Sequence, residues 1–330
     1  MAQMVAVTGA EGFIGSHLVE ALVQSGARVR AMVQYNSFNT WGWLEQLPAE
    51  VMAQVEVQLG DVRDPGSVQA LMRGADTVYH LAALIAIPYS YQAPRSYIET
   101  NVIGTLNVLE AARALETPRL VHTSTSEVYG TARTVPIHET HPVNPQSPYA
   151  ASKAAADQLV NSYALSFELP VVTLRPFNTY GPRQSARAVI SNIIAQLSAG
   201  QPAVRLGDVT PTRDFTFVQD TAAAFVAVGT AGPEVIGQTL NAGSNSEISV
   251  GDLVQLISDV MERPVQIEQE EQRVRPAASE VRRLVCDNRE LRRLTRWQPR
   301  YPLHEGLTRT VEWFHQPRNL ERYKPHLYTV

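Results

Sequence analysis

A single cysteine, Cys286, stands among 330 residues. One thiol cannot close an intrachain disulfide. With no Cys/His cluster beside it there is no closed metal site, so no metal is expected and a reducing compartment is the default. Neither sign of charge is in excess: 28 basic residues face 32 acidic ones, a net of −4. That balance exerts no general pull on nucleic acid or on anionic membranes, and neither is expected as a partner. The most apolar run, Tyr79 to Pro88, contains His80 and is too short to span a bilayer as a helix. The opening Met1-Ala2-Gln3-Met4 carries no basic leader and enters an apolar segment at once, so a soluble, cytoplasmic protein is expected. Internal repeats and low-complexity tracts are missing too.

What the chain does have is alternation. Short β-branched runs (Val5–Val7, Val29–Val33, Val55–Leu59, Thr77–Leu81, Leu120–His122, Val171–Leu174) are separated by helical ones (Ile14–Ser25, Val68–Met72, Ile98–Leu115, Tyr149–Phe167). Strand, helix, strand in series is the pattern of a doubly wound parallel sheet covered on both faces, an α/β fold. Beyond about Arg183 the rhythm loosens into loops and late helices at Val250–Met261 and Glu305–Phe314. The length, at roughly 150 residues per domain, allows two parts. Residues 1–182 are expected to be mainly a dinucleotide-binding domain. Residues 183–330 are expected to be mainly a smaller substrate-binding α/β portion, with the chain crossing between the two.

The first strand runs into Thr8-Gly9-Ala10-Glu11-Gly12-Phe13-Ile14-Gly15, glycines at a strand-to-helix turn. Bare backbone there lets a pyrophosphate approach the N–H groups at the helix start. At the end of the second strand, Met32-Val33-Gln34-Tyr35-Asn36-Ser37 offers no acid for a ribose 2′-hydroxyl and no arginine for a 2′-phosphate. NAD and NADP both stay open, with NAD favoured because an unpaired phosphate dianion costs more than a hydroxyl left to amides or water. Asp61, after the third strand, is placed to accept from an adenine amino group or to form a turn.

After the Leu120–His122 strand comes Thr123-Ser124-Thr125-Ser126-Glu127-Val128-Tyr129-Gly130, and later Ser147-Pro148-Tyr149-Ala150-Ala151-Ser152-Lys153. Tyr149 and Lys153 lie four apart and share one helix face. A phenol acts as a base near neutral pH only when its pKa falls, and a neighbouring ammonium favours the phenolate.

Together these strings resemble the extended short-chain dehydrogenase/reductase family, specifically its nucleotide-sugar-modifying members, over nearly the whole chain. The resemblance implies a Rossmann sheet and a nicotinamide cofactor. It implies that Thr125 hydrogen-bonds the sugar 4-OH, that Tyr149 removes its proton, and that Lys153 orients the nicotinamide ribose and tunes Tyr149. Cofactor contacts are implied at Gly9, Gly12, Phe13, Ile14, Gly15, Gln34, Asn36, Ser37, Asp61, Val62, Leu81, Ala82, Ala83, Asn101, Thr123, Tyr149, Lys153 and Pro176. Substrate contacts are implied at Ile85, Ile87, Asn178, Arg187, Val189, Arg213, Arg275 and Glu280. A homodimer joined by a four-helix bundle of Ile98–Leu115 and Tyr149–Phe167 is implied as well.

The triplet Thr125-Ser126-Glu127 resembles that of sugar-nucleotide 4,6-dehydratases. Once C4 is a ketone the C5 proton is acidic, and a carboxylate can take it while the C6 hydroxyl leaves. Ser126 is a poor acid, which leaves Glu127 itself or a water to protonate the leaving group. Three longer strings, Tyr35–Leu44, Leu84–Tyr91 and Gly181–Ile190, resemble the bacterial LegB-like dehydratases of the legionaminic acid pathway. They imply a UDP- or GDP-linked N-acetylglucosamine as substrate, with Leu84 to Ile87 as an apolar wall. A UDP-glucuronate decarboxylase is the nearest alternative, a C4 epimerase comes next, and a non-catalytic dinucleotide sensor follows.

Overall fold

The computed structural model describes residues 2–201 and 203–324. Its centre is a sheet built from β1 (Met4–Thr8), β2 (Arg28–Gln34), β3 (Val55–Gly60), β4 (Thr77–His80), β5 (Leu120–Thr123) and β6 (Val171–Pro176). A short strand pair, β7 (Asn178–Tyr180) with β10 (Phe215–Phe217), follows outside it. Two more pairs, β8 (Ala203–Leu206) with β13 (Gln266–Gln269) and β9 (Thr212–Arg213) with β12 (Ile248–Ser249), lie further along the chain. β11 (Thr239–Ala242) then returns to the main sheet, whose order is β11-β6-β5-β4-β1-β2-β3.

Every pairing in the main sheet is parallel. Burial on both faces explains its composition: all six residues of β6 and all four of β4 are buried, the signature of a sheet covered on each side by helices. On one face Val5, Val7, Leu18, Leu22, Phe225 and Val228 form a core with the helices Phe13–Gln24 and Val218–Thr230. On the other, Ala6, Val68, Leu71, Val108, Leu109 and Val160 pack with the helices Pro65–Met72, Gly104–Ala114 and Pro148–Phe167.

A separate core of Tyr180, Ile190, Ile194, Leu253, Ile257, Leu307 and Phe314 holds the C-terminal part together. The helix Val218–Thr230 and β11 nonetheless belong to the main sheet although they follow residue 182, so the chain crosses back before the second core is complete. His17 Nε2 against the Pro182 carbonyl (3.0 Å) and Arg183 against Glu20 (3.2 Å) fasten the two parts. Among the described residues no helix is long and apolar enough to cross a membrane.

Sheet order reverses beside β1: the chain winds out through β2 and β3, then returns to place β4 on β1's other edge. A crevice opens at such a switch point beyond the carboxyl ends of the strands, which is where a doubly wound fold receives its ligand.

Candidate active site

The glycine turn leaves β1 at that switch point. Gly9 adopts φ +69°, and a Cβ on it would lie 2.8 Å from the Ala82 nitrogen. A Cβ on Gly15 would lie 2.0 Å from the Gly9 carbonyl oxygen. Gly12 starts the helix with no side-chain cap, which leaves its first N–H groups for an anion. Thr8 ties the turn to the segment after β4: its hydroxyl accepts the N–H groups of Leu81 and Ala82, each at 3.1 Å, and bonds His80 Nδ1 at 2.8 Å. At the end of β5 the Thr123 hydroxyl is buried with no partner among the described residues. A turn closed to side chains, an uncapped helix start and an orphaned hydroxyl fit the dinucleotide that the resemblance implies.

The remaining expected cofactor residues lie around this crevice. Phe13 stacks edge-on to His17, and Ile14 packs on the first core. Val62 touches Gly104, where a Cβ would come within 2.8 Å. Gln34 and Ser37 are exposed. Asn36 folds its own loop, donating to the Thr40 carbonyl at 2.9 Å and accepting from Phe38 and Thr40 N–H groups. Asp61 is gripped by Arg63 at 2.6 Å, and this contact holds its carboxyl below the usual range. Pro176 closes β6 beside Ala242, and Ala83 is half-buried.

Asn101 does not sit on an ordinary α-helix. Residues Ile98–Ile103 form a π-helical turn, and the α-helix begins only at Gly104. The Asn101 amide accepts the Leu84 N–H (2.8 Å) and donates to the Leu84 carbonyl and to Ser152 Oγ (both 2.9 Å). It pins the Leu84 segment, four residues past the end of β4, to the Pro148–Phe167 helix.

That helix begins where Ser147 accepts the Ala150 N–H at 3.1 Å and Pro148 supplies the first helical residue, a favourable start on both counts. Tyr149 and Lys153 are therefore on its buried face. Thr125 caps a 3₁₀ turn, its hydroxyl accepting the Glu127 N–H at 3.2 Å, so the hydroxyl and the Glu127 backbone are fixed together. Burial pushes the Tyr149 phenol above its ordinary range. A hydrogen bond with Thr125 works the other way, and the charge of Glu127 adds to the rise. Burial brings Lys153 down to about 8, against the pull of Asp157. Its Nζ donates to the Thr123 carbonyl at 2.6 Å. The ammonium expected to lower the phenol is thus bound to the end of β5 in this state. Ser126 is buried.

Beneath these residues lies a network that the motifs did not announce. Asp157 accepts from Ser124 Oγ (2.7 Å) and Arg175 Nη2 (2.8 Å), and pairs with His122 Nε2 at 3.2 Å. Burial opposes its charge, but His122, Arg175 and Ser124 together prevail and take it down to about 2. Arg175 also donates to the Tyr129 hydroxyl, which donates to Asn241, each at 2.8 Å. Helical spacing was the available signal, since Asp157 follows Lys153 by four residues.

The expected substrate residues divide. Ile87 and Leu84 pack with Tyr97 around Tyr149, whereas Ile85 is exposed. Arg213 is buried, bonds Glu280 at 2.9 Å and feels the charge of Glu127. Arg275 reaches the same Glu280 at 3.6 Å. Asn178 presents a buried oxygen without a partner among the described residues. Arg187 is exposed, with its charge felt at Tyr97, and Val189 packs on the C-terminal core.

A doubly wound sheet with a glycine turn at its switch point, a hydroxyl and a carboxylate after β5, and a phenol and an ammonium on the buried face of the following helix is the architecture of a dinucleotide-dependent enzyme. Residues 6–310 match the family model described as GDP-mannose 4,6 dehydratase, and the chain belongs to the nucleotide-sugar dehydratase and epimerase family of extended short-chain dehydrogenases/reductases. A UDP-glucose 4-epimerase of Mycolicibacterium smegmatis is 36% identical over 93% of this chain and 97% of its own. The crystal structure of DesIV, a dTDP-glucose 4,6-dehydratase of Streptomyces venezuelae with NAD bound, is 28% identical. It superposes with a TM-score of 0.87 over 98% of this chain and 99% of its own. A UDP-N-acetylglucosamine 4-epimerase from Methanobrevibacter ruminantium is 29% identical, with a TM-score of 0.86 over 95% and 98% of the two chains.

Proposed function

We propose that the chain is a nucleotide-sugar 4,6-dehydratase acting on a UDP- or GDP-linked N-acetylglucosamine, with NAD or NADP held and recycled in the site. Residues 1–182 would carry most of the dinucleotide contacts and 183–330 most of the sugar-nucleotide contacts. The observation that carries the reading is Glu127, whose backbone N–H is held by Thr125 and whose carboxylate lies close enough for its charge to act on Tyr149. Epimerisation at C4 needs a base at O4 only. Elimination across C5 and C6 needs a second base, and Glu127 is that group.

Held at the turn of Gly9, Gly12 and Gly15, a nicotinamide would supply hydride acceptance at C4 of the sugar and hydride donation at C6. Thr125 hydrogen-bonds the 4-hydroxyl and Tyr149 accepts its proton. Because burial raises the phenol, this transfer requires positive charge nearby, and Lys153, one turn along the same face, is the protein's own source of it. Glu127 then removes the C5 proton, and either this group or a water it holds protonates the departing hydroxyl. Arg213 and Arg275, gathered on Glu280, supply cations for the diphosphate. Leu84 and Ile87 offer an apolar wall for an acetamido methyl. The likeness of Tyr35–Leu44, Leu84–Tyr91 and Gly181–Ile190 to LegB-like dehydratases supports the N-acetyl sugar, as does the likeness to an epimerase named for UDP-N-acetylglucosamine.

A C4 epimerase is the second reading, favoured by the 36% identity to a UDP-glucose 4-epimerase. Mass spectrometry of products from UDP-, GDP-, CDP- and dTDP-hexoses separates the two. Dehydration removes about eighteen mass units, one water, whereas an isomer that retains the C6 oxygen identifies the epimerase. Glu127→Gln is expected to abolish solvent deuterium exchange at C5 while C4 oxidation persists. Exchange that survives would assign the C5 base to another residue.

A further inference from the structure

β2 ends at Gln34 without an acid or an arginine, although the end of this strand is where a doubly wound sheet ordinarily reads the adenosine ribose. A carboxylate reaches that place from another segment. Glu11, inside the glycine turn, accepts the backbone N–H of Gln34 at 3.0 Å through Oε1. Its other oxygen, Oε2, is buried and has no partner among the described residues, whereas a buried acceptor ordinarily has a donor.

The residue is held where it stands. Its carbonyl accepts the Trp43 N–H at 3.0 Å, and the neighbouring Ala10 N–H reaches the Met32 carbonyl of β2 at 3.4 Å. Gly42, at φ +59°, comes so close that a Cβ would sit 3.1 Å from Glu11 Cβ. Arg63, three residues past the end of β3, is already held by Asp61 at 2.6 Å. The carboxylate therefore stands at the end of β2 with one acceptor unused, and the Arg63 guanidinium is taken up by Asp61.

We propose that Glu11 selects NAD over NADP: its unpartnered oxygen accepts from a ribose 2′-hydroxyl, and its charge repels a 2′-phosphate. A hydroxyl brings the donor that Oε2 lacks. A phosphate brings further negative charge into a partly buried place where salt screens poorly. The acid absent from β2 is thus supplied by the turn before the first helix. This inference rests on the reading of the crevice as a nicotinamide dinucleotide site and names the residue that chooses between its two forms.

Dissociation constants of NAD and NADP for the full chain, measured by calorimetry at one ionic strength, test it. The native protein is expected to bind NAD at least about tenfold more tightly, and Glu11→Gln, which keeps an acceptor for the Gln34 N–H, to bring the ratio close to one. The ratio is taken within each protein, so a loosened 36–47 segment that weakens both dinucleotides alike leaves it unaltered. The native protein also gives a test without any substitution: NAD lacking the 2′-hydroxyl is expected to bind about tenfold more weakly. A native preference for NADP, an unchanged ratio in Glu11→Gln, or equal binding of the 2′-deoxy form would each overturn the role of Glu11. Binding of neither dinucleotide would instead overturn the reading of the crevice on which it rests.

Discussion

Asp157 shows how much of the site depends on groups that touch no reactant. Its carboxylate joins Ser124, His122 and Arg175 directly beneath Thr125 and Lys153, and its charge partly offsets the burial of the Lys153 ammonium. Asp157→Asn leaves the buried Arg175 guanidinium without its counter-ion. The expected cost is about 3–5 kcal/mol at pH 7, the usual result of breaking one side of a buried pair, measured by urea unfolding. The pH dependence has a definite sign. The folded protein holds the carboxyl at about 2 against an ordinary 3.8, so the stabilisation is complete above pH 4 and is lost as pH falls through about 2. The gap between native and Asp157→Asn proteins is expected to narrow over that window, by about 2 kcal/mol. A gap that persists unchanged at the acid end would show that packing, not charge, is what Asp157 supplies.

Two elements carry most of the site's geometry, and they were legible to different degrees. The glycine turn could be read directly, because strand, glycines and helix appear in that order, and the structure adds the reason for each position: Gly15 stands against the Gly9 carbonyl with no room for a side chain. Gly15→Ala must move backbone, which is expected to cost about 1–3 kcal/mol and to weaken dinucleotide binding more than tenfold. Thermal unfolding and a calorimetric titration measure the two effects, and unchanged affinity would remove the turn from the cofactor site. The helix expected over Ile98–Leu115 shows the opposite case. Its first turn is π-helical, and Asn101 there bonds the Leu84 backbone. Apolar spacing reports which face is buried; it does not report a turn set by a partner seventeen residues away.

At the scale of the molecule, the described chain leaves apolar groups uncovered along the two helices expected to pair. Ile98, Ile103, Leu165 and Phe167 are exposed, Leu165 by 76%. Arg113 stacks over Phe167, and Tyr163 bonds Glu110, so the ends of these helices are already fixed to each other. A second copy laid on this face would complete a four-helix bundle. Sedimentation at micromolar concentration is expected to show a dimer, and Leu165→Glu, which places a charge in that apolar contact, to shift the population to monomer while leaving the far-UV circular dichroism unaltered. A native protein that sediments as a monomer would remove the bundle.

Local and periodic features were decided by the sequence itself: the alternating elements, the parallel sheet, the glycine turn, and Tyr149 and Lys153 on one helix face. Each follows from residues near one another along the chain, where spacing and backbone sterics suffice. Tertiary structure alone decided which distant groups met. It set Asp157 against Arg175 and His122, gathered Arg213 and Arg275 on Glu280, and brought Glu11 to the end of β2. Those meetings depend on strand order and on how the chain folds back after its first core, and a linear pattern contains no distance between segments that only packing brings together.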